Sequence, residues 1–424
     1  MELIKYPPKN EWNSLLQRPT VQRDVLENKV RAILNDVKQK GDAAVKNYTQ
    51  LFDNISLNEI AVSIKEAQVA MDITGDLKRA IDTAAANIRT FHKDQLPKVE
   101  YVETMPGIEC RRKPVAIEKV GLYIPGGTAP LFSSLLMLGI PARLAGCKEI
   151  IICTPADKNG NIHPAILYAA AITGINKIYK VGGAQAIASM AYGTETIPQV
   201  YKIFGPGNQY VTAAKQLIQQ EGIAIDMPAG PSELCVLADD TANATFIAAD
   251  LLSQAEHGPD SQVLFITTDE TLAGNVIKQL NDQLSKLARK EIALAALQNS
   301  KIILVQNIDG GIDLVNEYAP EHLIINCREE DRMAELVINA GSVFIGSYSP
   351  ESAGDYASGT NHVLPTNGSA KAFSGVSVDS FIKKISFQKI SAAGLKNIAN
   401  TIIVMAEAEG LDAHANAIKI RSNN

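Results

Sequence analysis

The sequence predicts an α/β fold with two parallel β-sheets, each flanked by helices. Short apolar runs that end in glycine or proline recur along the chain, and segments with apolar residues at helical spacing separate them. This alternation is typical of βαβ units and therefore of parallel sheets. The hydrophobic fraction of 46% and the charged fraction of 20% are those of an ordinary globular protein. A chain of 424 residues is too long for one ordinary core, so we expect more than one domain.

The N-terminal part is predicted to be helical. Apolar residues recur at helical spacing over residues 21–52, and Gly41 interrupts them, which predicts two helices. Residues 64–73 and 77–91 predict two more. His92 follows the last of these helices and is expected to be a solvated cap.

Two series of strands are predicted after residue 114, with a boundary between them near residue 230. The first series comprises residues 120–124, 150–153, 178–181 and 203–204, and the second comprises 234–238, 263–267, 302–305, 323–325 and 343–345. The helices predicted within the second series are 243–257, 270–287, 311–318 and 332–340, and residues 381–385 and 394–407 are predicted to be helical at the C-terminal end.

Charge, hydropathy and cysteine content narrow the class of protein. The net charge is −6 and no block of like charge occurs, which argues against a nucleic-acid surface. The longest apolar region, residues 129–147, contains Ser133, Ser134, Pro141 and Arg143, so we expect no membrane span. Five cysteines without a C-x-x-C motif are typical of reduced thiols, which favours a cytoplasmic protein.

A helix end at residues 251–261 is the first candidate site. The apolar helical pattern stops at Gly258-Pro259, a strong helix terminator. Gln254 and His257 are three residues apart, so on a helix they can point at a common atom. The alternative is a surface histidine near a helix C-terminus, favoured by the helix dipole.

Three glycine-containing turns follow strands of the first series: Tyr123-Ile-Pro-Gly-Gly127, Gly182-Gly-Ala-Gln-Ala186 and Gly205-Pro-Gly-Asn208. In open parallel sheets, ligands collect at the carboxyl ends of the strands, where small residues allow backbone N–H groups to approach a phosphate. None of them is a G-x-G-x-x-G motif, so each alone could be only a tight turn. Their occurrence at successive strand ends favours a shared ligand.

The remaining polar segments contain acids and imidazoles. Glu321 can activate water and His322 can exchange a proton near neutral pH, although an exposed polar pair is the alternative. Residues 349–362 are predicted to be a long polar loop that contains Asp355 and His362. Together with His257, His414 and Gln254, these side chains suit Zn²⁺ or another borderline divalent ion, although no H-E-x-x-H motif is present.

With these residues assembled, the chain closely resembles the histidinol dehydrogenases, the family that performs the last two steps of histidine biosynthesis. The resemblance extends over nearly the whole chain from about residue 20, and it is weakest at residues 1–20 and 270–300. The motifs that carry it are Gly121-Leu-Tyr-Ile-Pro-Gly-Gly127, Phe204-Gly-Pro-Gly-Asn208, Asp226-Met-Pro-Ala-Gly-Pro-Ser-Glu233, Leu252-Ser-Gln-Ala-Glu-His-Gly-Pro-Asp-Ser261, Pro320-Glu-His322 and Ser352-Ala-Gly-Asp-Tyr-Ala-Ser-Gly-Thr-Asn-His-Val-Leu-Pro365.

The resemblance implies two Rossmann-like α/β domains with small helical extensions. The expected divisions are an N-terminal extension at 1–20, a discontinuous first domain at 21–122 and 232–376, a second domain with the NAD-binding loops at 123–231, and a helical C-terminal segment at 377–424.

The resemblance also implies the reaction and its site. L-Histidinol would be oxidised through L-histidinaldehyde to L-histidine with two NAD⁺ in succession. Glu321 and His322 would be the catalytic acid/base pair, and one Zn²⁺ per subunit would orient the substrate. The implied zinc ligands are Gln254, His257, Asp355 and His414; the implied substrate contacts are these four with Ser232, His322, His362 and Glu409; the implied NAD contacts are Tyr123, Gln185 and Asn208.

The same resemblance implies a cytoplasmic homodimer with shared active sites and with neither a nucleic-acid nor a membrane partner. His414 and Glu409 would then serve the neighbouring subunit. Three other functions stay open from the sequence: oxidation of another small polar alcohol, a zinc hydrolase in which Glu321 and the metal activate water, and a non-catalytic binding protein on the same scaffold.

Overall fold

A computed structural model describes residues 1–19, 23–68, 72–126, 130–228 and 230–422. Gly127 of the first glycine-containing turn and Ala229 of a family motif lie outside these ranges, as do the first positions of the predicted helical region 21–52 and part of the predicted helix 64–73. The strands are β1 (Glu2–Lys5), β2 (Glu100–Met105), β3 (Ile108–Ala116), β4 (Lys119–Tyr123), β5 (Glu149–Thr154), β6 (Lys177–Lys180), β7 (Lys202–Phe204), β8 (Ala224–Ile225), β9 (Glu233–Ala238), β10 (Gln262–Thr267), β11 (Lys301–Leu304), β12 (His322–Asn326), β13 (Ser342–Ile345) and β14 (Ile382–Ile390).

The helices surround these strands, and none in the described ranges is long and apolar enough to cross a bilayer. They are α1 (Trp12–Leu15), α2 (Arg23–Asp53), α3 (Ile64–Gln68), α4 (Gly75–Lys93), α5 (Phe132–Ala145), α6 (Pro164–Ile172), α7 (Gly183–Tyr192), α8 (Gln209–Gln220), α9 (Ala244–Ala255), α10 (Glu270–Leu284), α11 (Lys290–Gln298), α12 (Ile308–Tyr318), α13 (Glu330–Glu335), α14 (Glu351–Tyr356), α15 (Ala392–Ala408) and α16 (Asp412–Ser422). Gly41 interrupts α2 with a non-helical backbone, as its place in the sequence predicted.

The first sheet has six parallel strands in the order β1-β11-β10-β9-β12-β13. Every residue of its central strands β9 and β10 is buried, because helices cover both faces. A strand buried on both faces reads as a continuous apolar run, which is why these strands were visible in the sequence. The predicted α/β fold class is confirmed.

The second sheet has five parallel strands in the order β6-β5-β4-β7-β8. Helices α4, α5 and α6 cover one face, whereas α2, α7 and α8 cover the other. Along β5, Ile150 and Ile152 face the first helical layer and Ile151 and Cys153 face the second, as the two-residue period of a strand requires. The strand order reverses at β4, so the turns after β4 and β7 lie side by side.

Helices α2 and α4 pack against helices of the five-stranded sheet, whereas the predicted first domain groups residues 21–122 with the six-stranded sheet. The N-terminal segment belongs with the six-stranded sheet, because β1 pairs with β11 and Leu16 lies in its core. The division into domains itself stays a prediction.

A third sheet is antiparallel and was not predicted; its strand order is β14-β3-β2. The prediction of a helix at residues 381–385 is wrong, because β14 begins at Ile382 and pairs with β3 along its whole length. The apolar spacing of Phe381, Ile382 and Ile385 fits a helix locally. The distant strand β3 supplies the backbone hydrogen bonds that decide in favour of an extended chain.

Candidate active site

Gln254 and His257 lie where α9 ends, as predicted. The helix begins at its N-cap Asn243, whose side chain accepts from Thr245 N–H, and it ends at Ala255. The Gln254 side chain is buried, and His257 is exposed. The helix end therefore presents one amide and one imidazole to the same region.

Glu321 and His322 lie at the start of β12 and are buried, so they are not an exposed polar pair. Ala319 adopts the left-handed conformation (φ 53°, ψ 65°) and ends α12, so the chain turns immediately before the pair. The Glu233 N–H donates to Glu321 Oε2 at 2.9 Å, and His322 Nδ1 donates to the Glu233 carbonyl at 3.1 Å. One residue of the neighbouring strand therefore holds both side chains.

The prediction of a long loop at residues 349–362 is wrong in its first half, where the chain forms α14. Pro350 is extended and begins this helix. Helix α14 packs closely against the Phe344 ring at Gly354, where a Cβ would approach the ring to 2.6 Å. Glu351 and Asp355 are four residues apart and thus share one face of α14.

Asp355 lies between the buried imidazole of His322 and the partly buried imidazole of His362. Its Oδ1 is 3.7 Å from His322 Nε2 and 3.8 Å from His362 Nδ1. Glu321 Oε2 lies 3.7 Å from His322 Nδ1 on the other side. The structure thus brings four of the predicted site residues into one cluster.

Three side chains of this region offer metal-ligand atoms that all lie within 4.8 Å of one another: His257, Glu351 and Asp355. Two of them were predicted as ligands, whereas Glu351 was missed. Its side chain is buried and lies near Gln254 and Ser253. The spacing of four between Glu351 and Asp355 was the available signal, and assigning the segment to a loop concealed it.

Burial dominates the electrostatics of the cluster. Burial raises the pKa of Glu321 well above its usual range, and the neighbouring carboxylates of Glu233, Asp355 and Glu351 add to this rise. Burial and Asp355 likewise raise the pKa of Glu351. Burial lowers the pKa of His322 to about 4, so this imidazole is neutral near pH 7. The cluster holds more acid than base, and a bound cation would compensate for that excess.

His362 is held by contacts on both sides of its ring. Nδ1 donates to the Asp355 carbonyl at 2.9 Å, so the neutral ring accepts at Nε2, where the Ser134 Oγ lies at 3.1 Å. Burial lowers the pKa of His362 as well, which favours this neutral form. Ser134 belongs to α5 of the five-stranded sheet, so the contact links the two sheets at the site.

His92 is fully buried, so the expectation of a solvated cap is wrong. Its Nδ1 lies 2.8 Å from the Ile88 carbonyl, and its Nε2 lies 3.2 Å from Asn361 Nδ2. Asn361 also donates to the Met137 carbonyl. These contacts hold the backbone beside His362 against α4 and α5.

The predicted NAD-binding side chains lie at the carboxyl ends of β4, β6 and β7. The Gly183 N–H donates to the Tyr123 hydroxyl at 3.2 Å. Asn208 caps α8, because its side-chain oxygen accepts from Tyr210 and Val211 N–H. Its amide nitrogen takes no part in this cap. Gln185 is buried, and its Oε1 has no hydrogen-bond partner among the described residues. An unpaired buried acceptor of this kind fits a site for a polar ligand.

The turns after β4 and β7 are held close together. Gly205 has a φ of 130°, and a Cβ there would overlap the Tyr123 carbonyl oxygen. Only glycine permits this approach. Behind the turn, Asp226 accepts from the Gly205 N–H and the buried Lys215 donates to the Gly205 carbonyl.

The three remaining predicted substrate contacts are Ser232, Glu409 and His414. Ser232 immediately precedes β9 and is joined to β10 through its carbonyl, which accepts from Gln262 N–H. Glu409 is the C-cap of α15 and His414 lies on α16, and both are exposed. Among the described residues, the metal-ligand group does not include His414. A single chain therefore does not bring His414 to the other predicted ligands.

Comparison with known proteins agrees with this geometry. The family model described as Histidinol dehydrogenase matches residues 16–422. A histidinol dehydrogenase from Bacteroides thetaiotaomicron is 59% identical over 424 residues, which is 100% of this chain and 99% of that protein. A histidinol dehydrogenase from Xanthomonas axonopodis pv. citri is 52% identical over 394 residues, covering 92% of this chain and 91% of that protein.

Solved structures give the same result. The crystal structure of histidinol dehydrogenase from Elizabethkingia anophelis matches with a TM-score of 0.97 and 53% identity, covering 99% of this chain and 98% of that chain. A probable aldehyde dehydrogenase from Listeria monocytogenes has a TM-score of 0.50 at 13% identity, covering 90% of this chain and 97% of that chain. The second likeness concerns the fold alone.

Substitution of Glu351, whose carboxylate was not predicted as a ligand, tests whether this side chain contributes to metal binding. Glu351→Gln keeps the shape but removes one negative charge from the three-ligand group. We expect the affinity for Zn²⁺ to fall by about 10- to 100-fold, measured by competition with a chelator. Glu335→Gln, an exposed change on α13, is the matched control. Equal affinities in the two variants would exclude Glu351 from the metal site.

Proposed function

The chain belongs to the histidinol dehydrogenase family, and we propose that it oxidises L-histidinol to L-histidine through L-histidinaldehyde, with two NAD⁺ and one bound Zn²⁺ per subunit. Membership of this family makes the protein an oxidoreductase of histidine biosynthesis that acts on histidinol. The observation that carries the proposal is the single buried cluster in which Glu321 and His322 lie beside potential metal ligands.

The donor atoms of His257, Glu351 and Asp355 fit zinc. An imidazole nitrogen from His257 and carboxylate oxygens from Glu351 and Asp355 lie within 4.8 Å of one another. Zinc binds nitrogen and oxygen donors of this kind at about 2.0–2.2 Å. The excess of buried carboxylate supports a divalent cation, because each unpaired buried negative charge is costly.

The amide of Gln254 supports the same reading. Its side chain lies between the Glu351 carboxylate and the Glu233 N–H; when its nitrogen faces Glu351, both contacts are hydrogen bonds. The opposite orientation brings the amide oxygen against the carboxylate. A cation between the two oxygens would make that orientation favourable, so metal binding and rotation of the amide are expected to be coupled.

We propose that Gln254, His257 and Asp355 hold the zinc ion together with His414 of a second subunit. Bound zinc supplies a positive template for the imidazole and amine of the substrate rather than a hydroxide. Ser232, His322, His362 and Glu409 are the further substrate contacts in this proposal. The held orientation of the His362 ring supports a positioning contact, since both of its nitrogens already have partners in the chain.

Tyr123, Gln185 and Asn208 are the proposed NAD contacts. The unpaired Gln185 Oε1 and the free amide nitrogen of Asn208 are polar groups available to a ligand. The N-termini of α7 and α8 follow two of the turns, and a helix N-terminus favours the negative charge of a pyrophosphate. When bound by these residues, NAD⁺ would supply the hydride acceptor for each of the two oxidations.

His322 is suited to remove the proton of the alcohol. Its Nδ1 carries the proton donated to the Glu233 carbonyl, so Nε2 has the free lone pair. This Nε2 is buried and has no hydrogen-bond partner among the described residues. Burial keeps the ring neutral by lowering its pKa to about 4. His322 would take the alcohol proton at Nε2 as hydride leaves.

Glu321 is suited to activate the water that adds to the aldehyde. Burial raises its pKa, which makes the carboxylate a stronger base than an exposed one. The hydrogen bond from the Glu233 N–H fixes the carboxylate beside His322. Two neighbouring bases with different environments can thus serve the two halves of the reaction.

A homodimer explains the exposed residues of the C-terminal segment. Val404 and Met405 of α15 are more than half exposed, at 55% and 59%, and Tyr101 and Val102 of β2 are each 57% exposed. Val404 and Met405 belong to the helix whose C-cap is Glu409. We propose that a second copy covers them and that each site receives Glu409 and His414 from the partner chain. The five cysteines are free, which supports a cytoplasmic location.

The proposed activity is tested by following NADH formation from L-histidinol with purified protein. We expect turnover by the metal-loaded protein, a loss of most activity after removal of the metal with a chelator, and recovery with Zn²⁺. Another small polar alcohol serves as the control substrate. Absence of NADH formation with histidinol at full zinc loading would reject the proposal, and hydrolysis without NAD⁺ would favour a zinc hydrolase.

The role of Glu321 is tested by comparing the two halves of the reaction in Glu321→Gln. Because the amide cannot accept a proton from water, we expect oxidation of the aldehyde to slow by about 10²- to 10⁴-fold. Oxidation of the alcohol, which relies on His322, should slow much less. Single-turnover measurements with histidinol and with histidinaldehyde separate these rates. An equal loss in both halves would show that Glu321 is not confined to activating water.

Sharing of the site across a dimer is tested by mixing two inactive variants, His414→Ala and Glu321→Ala. If His414 acts across the interface, each heterodimer has one intact site and one doubly altered site. Random reassociation of equal amounts should restore about one quarter of the wild-type activity, as expected for a symmetric dimer. If His414 acts within its own chain, no intact site forms and activity stays at the level of the separate variants.

A further inference from the structure

We propose that Arg18 and Glu233 form a positioning pair that holds Glu321 and His322 in the arrangement needed for proton transfer; this inference rests on the proposed function of those two residues. Neither Arg18 nor Glu233 approaches the reacting atoms in the proposal. They act through the backbone on which the acid/base pair depends.

Glu233 is the first link. Its N–H donates to Glu321 Oε2 and its carbonyl accepts from His322 Nδ1, so both polar groups of one peptide residue serve the acid/base pair. A small displacement of this residue would alter both contacts at once. The position of Glu233 therefore decides the orientation of the Glu321 carboxylate and the tautomer of His322 together.

The Glu233 side chain is anchored by Arg18. Arg18 Nε donates to Oε1 at 2.5 Å and Nη2 donates to Oε2 at 2.9 Å, which is the forked geometry that only a guanidinium provides. The Asn367 N–H also donates to Oε1 at 2.8 Å. The Glu233 side chain is only 2% exposed and that of Arg18 is 16% exposed, so solvent screens this ion pair little.

Arg18 also contacts the chain immediately before Glu321. Its Nη2 donates to the Tyr318 carbonyl at 2.7 Å, and its guanidinium lies 4.1 Å from the centre of the Tyr318 ring. The turn at Ala319 and Pro320 follows directly. One guanidinium thus ties the start of β9 to the turn that precedes β12, and these are the two backbone segments that meet at the acid/base pair.

The proposed contribution of Arg18 and Glu233 to the chemistry is that they hold His322 in one tautomer. A proton on Nδ1, held by the Glu233 carbonyl, leaves Nε2 as the base. If the carbonyl moves away, the proton can reside on Nε2 instead, and the ring can no longer accept the alcohol proton there. A histidine held in the wrong tautomer costs a large part of the rate in other enzymes that use an imidazole base.

The experiment compares Arg18→Met with Arg332→Met in the zinc-loaded protein. Arg332 forms exposed ion pairs with Asp309 and Glu329 and lies outside the site, so it is the matched control. For Arg18→Met we expect kcat for histidinol oxidation to fall by about 10- to 100-fold, as a misplacement of about 1 Å would produce. The KM for histidinol and the zinc content should change little, because the proposed metal ligands are untouched.

A spectroscopic measurement separates positioning from a loss of fold. The ¹⁵N resonances of the His322 ring should report a proton on Nδ1 in the wild-type protein and a mixture of tautomers in Arg18→Met. Ethylguanidinium added to Arg18→Ala should recover part of kcat. If Arg18→Met does not fold, Arg18→Lys takes its place, because it keeps the charge and loses the fork; the same fall in kcat and the same change of tautomer are expected.

The outcomes are distinct. An unchanged kcat and an unchanged tautomer in a folded Arg18 variant would overturn the positioning role. The positioning role would also be overturned if activity fell only in proportion to the fraction of unfolded protein and the folded protein kept the wild-type tautomer of His322. Arg18 would then contribute to folding alone. If the wild-type protein forms no NADH from histidinol, the proposed function fails. The tautomer measurement still tests whether Arg18 and Glu233 position His322.

Discussion

The burial of carboxylates beside a neutral imidazole is the constraint on which the site depends. Glu321 and Glu351 are almost inaccessible, and Asp355 lies between His322 and His362. Burying an ionised carboxylate costs on the order of several kcal/mol unless a partner compensates for it. The chain supplies N–H donors but no cationic side chain within the cluster among the described residues. A bound cation would compensate for these carboxylates; without one, burial favours the protonated forms of Glu321 and Glu351, because it raises their pKa values.

Contacts between residues far apart in sequence keep the cluster in place. Asn361, held by His92 and the Met137 carbonyl, ties the chain beside His362 to helices of the five-stranded sheet. Arg18 and Glu233 are 215 positions apart, and their contact joins the N-terminal segment to the strand that bonds Glu321 and His322. The side chains of the proposed site are thus oriented by buried polar contacts from both sheets, so a shift in the packing of the sheets would change their positions.

The sequence predicted nine of the eleven strands described in the two parallel sheets, because buried parallel strands are continuous apolar runs, whereas β1 and β8 were missed. It did not reveal β2, where all six residues are exposed, or β14, whose partner β3 is distant in the chain. At the site, polar residues beside strand and helix ends and the family motifs predicted Gln254, His257, Glu321 and His322; their roles stay predictions. The sequence did not single out Glu351 or Arg18, because their proposed roles rest on tertiary contacts with residues distant in the chain.

The proposed dinucleotide site lies at the carboxyl ends of strands, whereas the proposed metal site lies at the amino end of a strand. The direction of the adjacent helices accounts for this difference. The expectation that ligands collect at carboxyl ends suits the turns after β4, β6 and β7, where helix N-termini favour an anionic pyrophosphate. The acid/base pair lies instead at the amino end of β12, near the C-terminus of α9 with Gln254 and His257. A helix C-terminus carries partial negative charge and favours a cation. Helix polarity thus supports the proposed placement of the dinucleotide beside the five-stranded sheet and of the metal ion beside the six-stranded sheet.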